Sequence, residues 1–376
     1  MKYIHFNNAG ASLTPKSTND VINKYLELER KIGGYEAEEL SKNQLDQFYL
    51  NFSKLINSRK SEISFLPNAT IAWNMIFNSI PILERNNIVI CENEYSSNHI
   101  SILNRLEKTK IRIVKLDKRG LIDLNELKKK VDINTKVLSI NHISSQFGNV
   151  MPILEIGKIV KNINSSIIYI VDCCQSIGQC DIDVKKINCD IITGSGRKYL
   201  MGPRGTGFLY ISKKLSKKIH PIFKDMSSTK LNRNFNLVQL EHCKPLLETF
   251  EHSPALKLGL SQSINNILKI GVNKINEKIV ALSNYFRLNL CKVCNVKFFE
   301  HVDYLSGINT MDFLDFDNEE VYKYLRSFNI NTYVVKENVS KLYFKKIRRK
   351  NVLRVSFNYN NNKSQIDYLI KTIKML

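Results

Sequence analysis

Three groups able to do chemistry together fall between Ser166 and Gly207: a carboxylate at Asp172, an amine at Lys198 and the glycine-rich turn GPRGTG at 202–207. Lys198 follows Gly194, Ser195, Gly196 and Arg197, so it has a neighbouring cation and little side-chain bulk around it. Both features suit a neutral, nucleophilic amine. Such a lysine can form a Schiff base with an aldehyde. A carboxylate at a pyridine nitrogen keeps that ring protonated and electron-withdrawing, and Asp172 is available for the task. The pair predicts a site for pyridoxal 5′-phosphate (PLP). The turn is no Walker A loop, because no Gly-Lys-Ser/Thr follows, and it lacks the dinucleotide GxGxxG spacing.

The elements that must position these groups are legible as short apolar runs. Ile167 to Val171 and Asp190 to Thr193 are too short for helices and read as buried parallel strands. Ligands collect outside the carboxyl ends of such strands, which sends Asp172 and the Ser195–Lys198 segment into one crevice. Further strands are expected near Ile88 to Cys91, Ile111 to Leu116, Lys136 to His142 and Phe208 to Ile211, alternating with helices. That alternation predicts an α/β protein with a mainly parallel sheet. Residues 1–20 read as an N-terminal arm, 21–255 as a large cofactor-binding domain and 256–376 as a smaller C-terminal α/β domain. A helix is expected from Asn19 to Lys31, a polar loop from His220 to Lys244 and a long helical region from Ala255 to Leu290. In the small domain, strands are expected near Ile308 to Phe313, Ile330 to Val335 and Val352 to Phe357, with helices from Asn318 to Phe328 and from Ser364.

VDCCQSIG followed by TGSGRKYLMGPRGTGFLY resembles the pyridoxal-lysine region of the class V aminotransferase family. FNNAGASLTP near the start and VLRVSFNYNNNKSQIDYL near the end extend the likeness over nearly the whole chain. The resemblance implies the PLP-dependent transferase fold type I, with Lys198 carrying the Schiff base and Asp172 pairing with the pyridinium nitrogen. It places Gln175 at the ring hydroxyl, with Ser145 near it, and Ser195 and Arg197 at the phosphate. It assigns Asn8 to the neighbourhood of the substrate and Arg354 to the substrate carboxylate, a task suited to a planar bidentate donor. Asn68-Ala69-Thr70 is similar to the family's phosphate turn, where Ala69 and Thr70 would meet an anion at a helix start. Tyr95 corresponds to the aromatic position against the cofactor face. LLETFEHSPALKLGL resembles a stretch that crosses a dimer interface, so a homodimer is expected, with Glu251, His252 and Ser253 bordering the partner's site.

The same resemblance frames the reaction. Desulfurases of the family carry a cysteine on a loop shortly before the terminal arginine. Here 331–353 contains none, Tyr95 replaces the usual histidine over the ring, and Arg197 stands where histidine generally precedes the lysine. These departures point away from persulfide chemistry, toward a lyase performing β-elimination on a sulfur-substituted amino acid. Transamination and epimerisation are the alternatives within the family, and non-catalytic nucleic-acid binding is the alternative outside it.

Bulk properties bound these readings. With 376 residues, 43% of them hydrophobic, the chain can bury a substantial core. The start MKYIHFNNAG has no long apolar stretch, and no run is long enough to span a membrane, which predicts a soluble, cytoplasmic protein. Eight unevenly spaced cysteines suggest reduced thiols. Cys291-x-x-Cys294 has no second pair or flanking histidines, so no metal is expected. The net charge of +21 is dispersed along a Lys-, Asn- and Ile-rich chain, which reads as solvated surface rather than a nucleic-acid groove.

Overall fold

The computed structural model describes residues 3–239 and 247–376. Its main sheet has seven strands, in the spatial order Ile63–Leu66, Gly207–Ile211, Ile191–Ser195, Ile168–Asp172, Thr135–Asn141, Asn87–Cys91 and Ile111–Val114. Every neighbouring pair is parallel except the two pairs made by Gly207–Ile211. The five central strands are buried at every residue but Lys136, as expected for strands covered by helices on both faces. One apolar cluster fills each side of the sheet: Phe48, Phe52, Leu138, Val171 and Phe208 belong to one, and Trp73, Phe77, Ile88, Ile170 and Leu209 to the other.

A second sheet has four antiparallel strands, in the order Val296–Phe298, Ile308–Phe313, Asn351–Ser356 and Tyr333–Lys336. Helices Asn318–Ser327 and Lys363–Ile373 contribute Val321, Leu325, Ile366 and Leu369 to its core. The N-terminal arm joins this part: Ile4–His5 pairs in parallel with Ile330–Asn331, and Asn7 bridges to Ser356. The first helix begins at Lys16, directly after Pro15.

Three local expectations are revised. The long helical region expected from Ala255 to Leu290 resolves into two helices, Pro254–Ile270 and Val272–Leu290, broken at Gly271, whose φ of 90° favours glycine. Ile330 to Val335 is split between the arm's partner strand and the small sheet. Within the expected loop from His220 to Lys244, Thr229–Leu231 and Leu237–Gln239 form an antiparallel hairpin, while residues 240–244 lie outside the described residues. Polar composition concealed this hairpin because both of its strands are short and its described side chains are mostly exposed.

A buried ion pair fastens the segment after this region to the sheet edge. Lys257 Nζ lies 2.9 Å from Glu248 Oε1 and 2.5 Å from Tyr49 Oη, and Glu248 Oε2 accepts the Phe65 amide at 2.8 Å. The two charged side chains are 4% and 0% exposed. Removing one member of such a pair strands the other charge away from water. Lys257→Ala should therefore lower unfolding stability by about 3–5 kcal/mol, read from the urea midpoint of the purified protein.

Candidate active site

The carboxyl ends of the central strands open where Asp172 and Ser195 end their runs. Asp172 is 5% exposed. Its Oδ1 accepts the Cys174 amide at 2.9 Å, and its Oδ2 accepts Asn98 Nδ2 at 3.1 Å. Lys198, 9% exposed, sits in the turn that follows Ser195. Burial holds its amine below the ordinary lysine pKa; the Cys174 thiol opposes that shift and Arg197 adds to it. The amine thus has an increased neutral fraction, as a Schiff-base nucleophile requires.

The turn carrying Lys198 is stitched by its own backbone. Gly202 N donates to Gly196 O at 2.8 Å, Met201 N to Lys198 O at 2.9 Å, and Ser12 N of the arm to Arg197 O at 2.8 Å. A Cβ on Gly202 would stand 2.6 Å from Leu260 Cδ1 and 3.0 Å from Gly196 O. Close approach therefore accounts for glycine at that position.

The phosphate turn is brought in from another element. Asn68 caps helix Ala69–Ser79, its side chain accepting the Ile71 amide at 2.9 Å. Its backbone presses on Gly207, where a Cβ would lie 2.7 Å from Asn68 Cα, and Gly207 is the sheet partner of Ser195. The start of the helix, with Ala69 and the exposed Thr70, is thereby held beside Ser195. Free amides and the helix dipole favour an anion there.

Arg354 reaches the site from the small sheet. It is 4% exposed, donates to Ser145 O and, at 3.1 Å, to Asn7 Oδ1, and lies over the Tyr333 ring at 5.1 Å from its centroid. Burial lowers its pKa to about 10, and its charge is felt at Lys198. Its Nε is buried without a partner. Gln175 donates Nε2 to Ala9 O at 3.1 Å, while its Oε1 is also buried and unpartnered, as is Thr193 Oγ1. Orphaned buried polar atoms around an acid, an amine and a guanidinium fit a polar ligand with a carboxylate and a phosphate.

The structure thus brings Asp172, Ser195, Arg197, Lys198 and Arg354 near one another, with Ser145 bonded to Arg354, Gln175 bonded to the arm, and Ala69 and Thr70 beside the Ser195–Gly207 pair. Tyr95 is 36% exposed at the cap of helix Ser96–Arg105, one turn before Asn98. Asn8 is placed differently from what its assignment implied: its Nδ2 donates to Ser356 O and Asn361 Oδ1, tying the arm down, and Asn7 is the one that meets Arg354. The chain turns at these neighbours, with Gly10 N donating to Asn7 O at 3.0 Å, so their side chains part. Glu251, His252 and Ser253 line a wide surface hollow with Tyr25, Glu38 and Lys42, and none of the residues around Lys198 lines it. Sequence reasoning missed Glu94 and Asn98. Their signal was an i, i+4 polar pair, Glu-Tyr-Ser-Ser-Asn, straddling a strand end and a helix start. Cys174 was also missed; its thiol lies 3.9 Å from Ser195 Oγ and is pushed up to about 12 by burial and then by Asp172.

The family model for aminotransferase class-V matches residues 4–369. The chain is 26% identical over 294 residues to a probable cysteine desulfurase of Methanothermobacter thermautotrophicus, covering 78% of this chain and 73% of that one. It is 30% identical over 316 residues to a cysteine desulfurase of Wigglesworthia glossinidia brevipalpis, covering 82% and 75%. Among solved structures, the apo cysteine desulfurase of Thermococcus onnurineus NA1 superposes with a TM-score of 0.89 at 21% identity, over 99% of this chain and 94% of that one. The chain belongs to the class V aminotransferase family, with the fold type I architecture and PLP as the family's cofactor.

The same relatives correct the expected reaction. β-Elimination, transamination, epimerisation and non-catalytic nucleic-acid binding all give way, because the similar proteins are cysteine desulfurases. The contrary argument weighed three positions, the cysteine-free stretch 331–353, Tyr95 and Arg197, against a likeness that spans most of the chain. Those positions concern the path of sulfur and the surroundings of the cofactor. They leave the acid, the amine and the guanidinium untouched. Among the described residues, no helix is long and apolar enough to cross a membrane.

Proposed function

We propose that this protein is a PLP-dependent cysteine desulfurase, converting cysteine to alanine and passing its sulfur to a thiol acceptor. The observation that carries the reading is the closeness of buried Lys198, Asp172 and Arg354, beside the start of helix Ala69–Ser79. Lys198 would hold the cofactor covalently, Asp172 its ring nitrogen, Gln175 its hydroxyl, and Ser195, Arg197 and Thr70 its phosphate. When bound, the cofactor supplies an electron sink for the charge that develops at the substrate Cα.

The chain's own residues supply the rest. Arg354 Nε, a buried donor without a partner, receives the substrate carboxylate, while Asn7 and Ser145 O fix the guanidinium plane. Lys198 Nζ, displaced by the incoming amine, removes the Cα proton and returns a proton as alanine forms. The acceptor thiol does not come from 331–353. There, helix Lys341–Ile347 buries Tyr343 and Phe344 against Phe147, and Lys346 bonds Glu92. The reading includes a homodimer working in the cytoplasm. The apolar side chains that the hairpin region exposes, Met226, Phe235 and Leu237, suit burial against a second copy.

The test is product analysis with cysteine, PLP and a reducing thiol. Alanine and sulfide in equal amounts are expected. Pyruvate and ammonia in place of alanine would overturn the proposal.

A further inference from the structure

Joined to Asp172 through the Asn98 amide is a second buried carboxylate that the proposed chemistry does not use. Glu94 is 3% exposed, and all the bonds it makes are from donors: the Tyr95 amide at 2.8 Å and Asn98 Nδ2 at 3.0 Å to Oε1, and Ser139 Oγ at 2.9 Å to Oε2. Asn98 Nδ2 also donates to Asp172 Oδ2 at 3.1 Å. One amide nitrogen therefore spends its two hydrogens on two carboxylates. Ser139 is itself fully buried on the strand beside that of Asp172. Two acids in a dry region repel one another, and the cost is visible: burial and then Asp172 push the Glu94 carboxyl up to about 7. Such an arrangement is unfavourable unless Glu94 takes up a proton or a cation settles nearby.

We infer that Glu94 is a positioning residue for the ring seat: through Asn98 it aims the Asp172 carboxylate and backs it with a second negative charge, selecting a ligand whose ring nitrogen is protonated. The inference rests on the PLP reading and deepens it. A protonated ring nitrogen at Asp172 would be the missing cation, and Glu94 would respond to it across the single bridging amide. Nothing about Glu94 requires contact with substrate, so it is not a catalytic residue.

The experiment compares the affinity of the full chain for PLP with its affinity for the carbocyclic analogue in which CH replaces the ring nitrogen. Binding is read by fluorescence quenching at a pH above the raised Glu94 value. Wild type should prefer PLP. Glu94→Gln keeps shape and the bond to Asn98 but loses the charge, and should reduce that preference roughly tenfold; Glu94→Asp, which retains the charge, should restore part of it. Asn98→Ala leaves both carboxylates and breaks the bridge, so it should lose discrimination too, which keeps the test decisive if the Gln variant does not fold. An unchanged preference in the folded variants, with wild type still binding PLP, would overturn this inference alone. Failure of wild type to bind PLP would overturn the cofactor reading and this inference with it.

Discussion

Lys198→Ala is expected to abolish cysteine turnover, by about four orders of magnitude or more, while leaving the protein folded. In the proposed reaction the amine would have two tasks that no neighbour can take over. It would carry the cofactor and move the proton at the substrate Cα. Arg197 and Arg354, the other cations near this position, carry guanidinium groups, which cannot serve as nucleophile or base. Folding should survive because the turn is held by main-chain bonds, Gly202 N to Gly196 O and Met201 N to Lys198 O, and by Ser263 Oγ donating to Met201 O at 3.1 Å. The Lys198 side chain is needed for none of them. Borohydride treatment of wild type with PLP should bleach the yellow imine and fix the cofactor on a single lysine-bearing peptide, and the variant should show neither. A variant that still turned over cysteine would remove Lys198 from the mechanism.

The large sheet could be read from sequence because its central strands are buried on both faces and therefore appear as continuous apolar runs, such as Ile168–Asp172. Lys198 and Asp172 were legible for a related reason: each stands just past such a run, where chain and chemistry change together. Arg354 lies on a strand of the other sheet, 156 residues after Lys198, and only the family resemblance linked the two. Partners that meet in space but lie far apart in sequence escaped. Asn98 and Glu94 stand on either side of a strand-to-helix junction, and nothing in their spacing says that Asp172, more than 70 residues later, will share a donor with them. The arm misled in another way. Asn7 and Asn8 are chemically identical neighbours, and which one faces Arg354 is decided by the pairing of Ile4–His5 with Ile330–Asn331. The reaction was misjudged because the missing cysteine in 331–353 was given more weight than the rest of the chain. Local absence of one nucleophile says where sulfur does not go; it does not alter how the Cα proton and the carboxylate are handled.

Asp172→Asn should leave the cofactor bound yet slow turnover by about 10³-fold. The amide can occupy the same space, since Oδ1 and Oδ2 are held by the Cys174 amide and Asn98 Nδ2 and one of these bonds survives with an amide oxygen. The groups proposed for the phosphate, at Ser195, Arg197 and the start of helix Ala69–Ser79, would be independent of the change. The negative charge that keeps a ring nitrogen protonated is lost, so proton removal by Lys198 becomes harder even though every atom remains near its place. The prediction therefore separates two quantities: the PLP dissociation constant should rise only a few-fold, while kcat falls by the full factor. Solvent exchange of the substrate Cα hydrogen, followed by NMR in deuterated buffer, should slow in parallel with kcat. Exchange at the wild-type rate with impaired alanine formation would instead place the role of Asp172 after proton removal. Near-normal rates of both would mean that a different group holds the ring nitrogen, and Glu94, one bridging amide away, would be the next residue to replace.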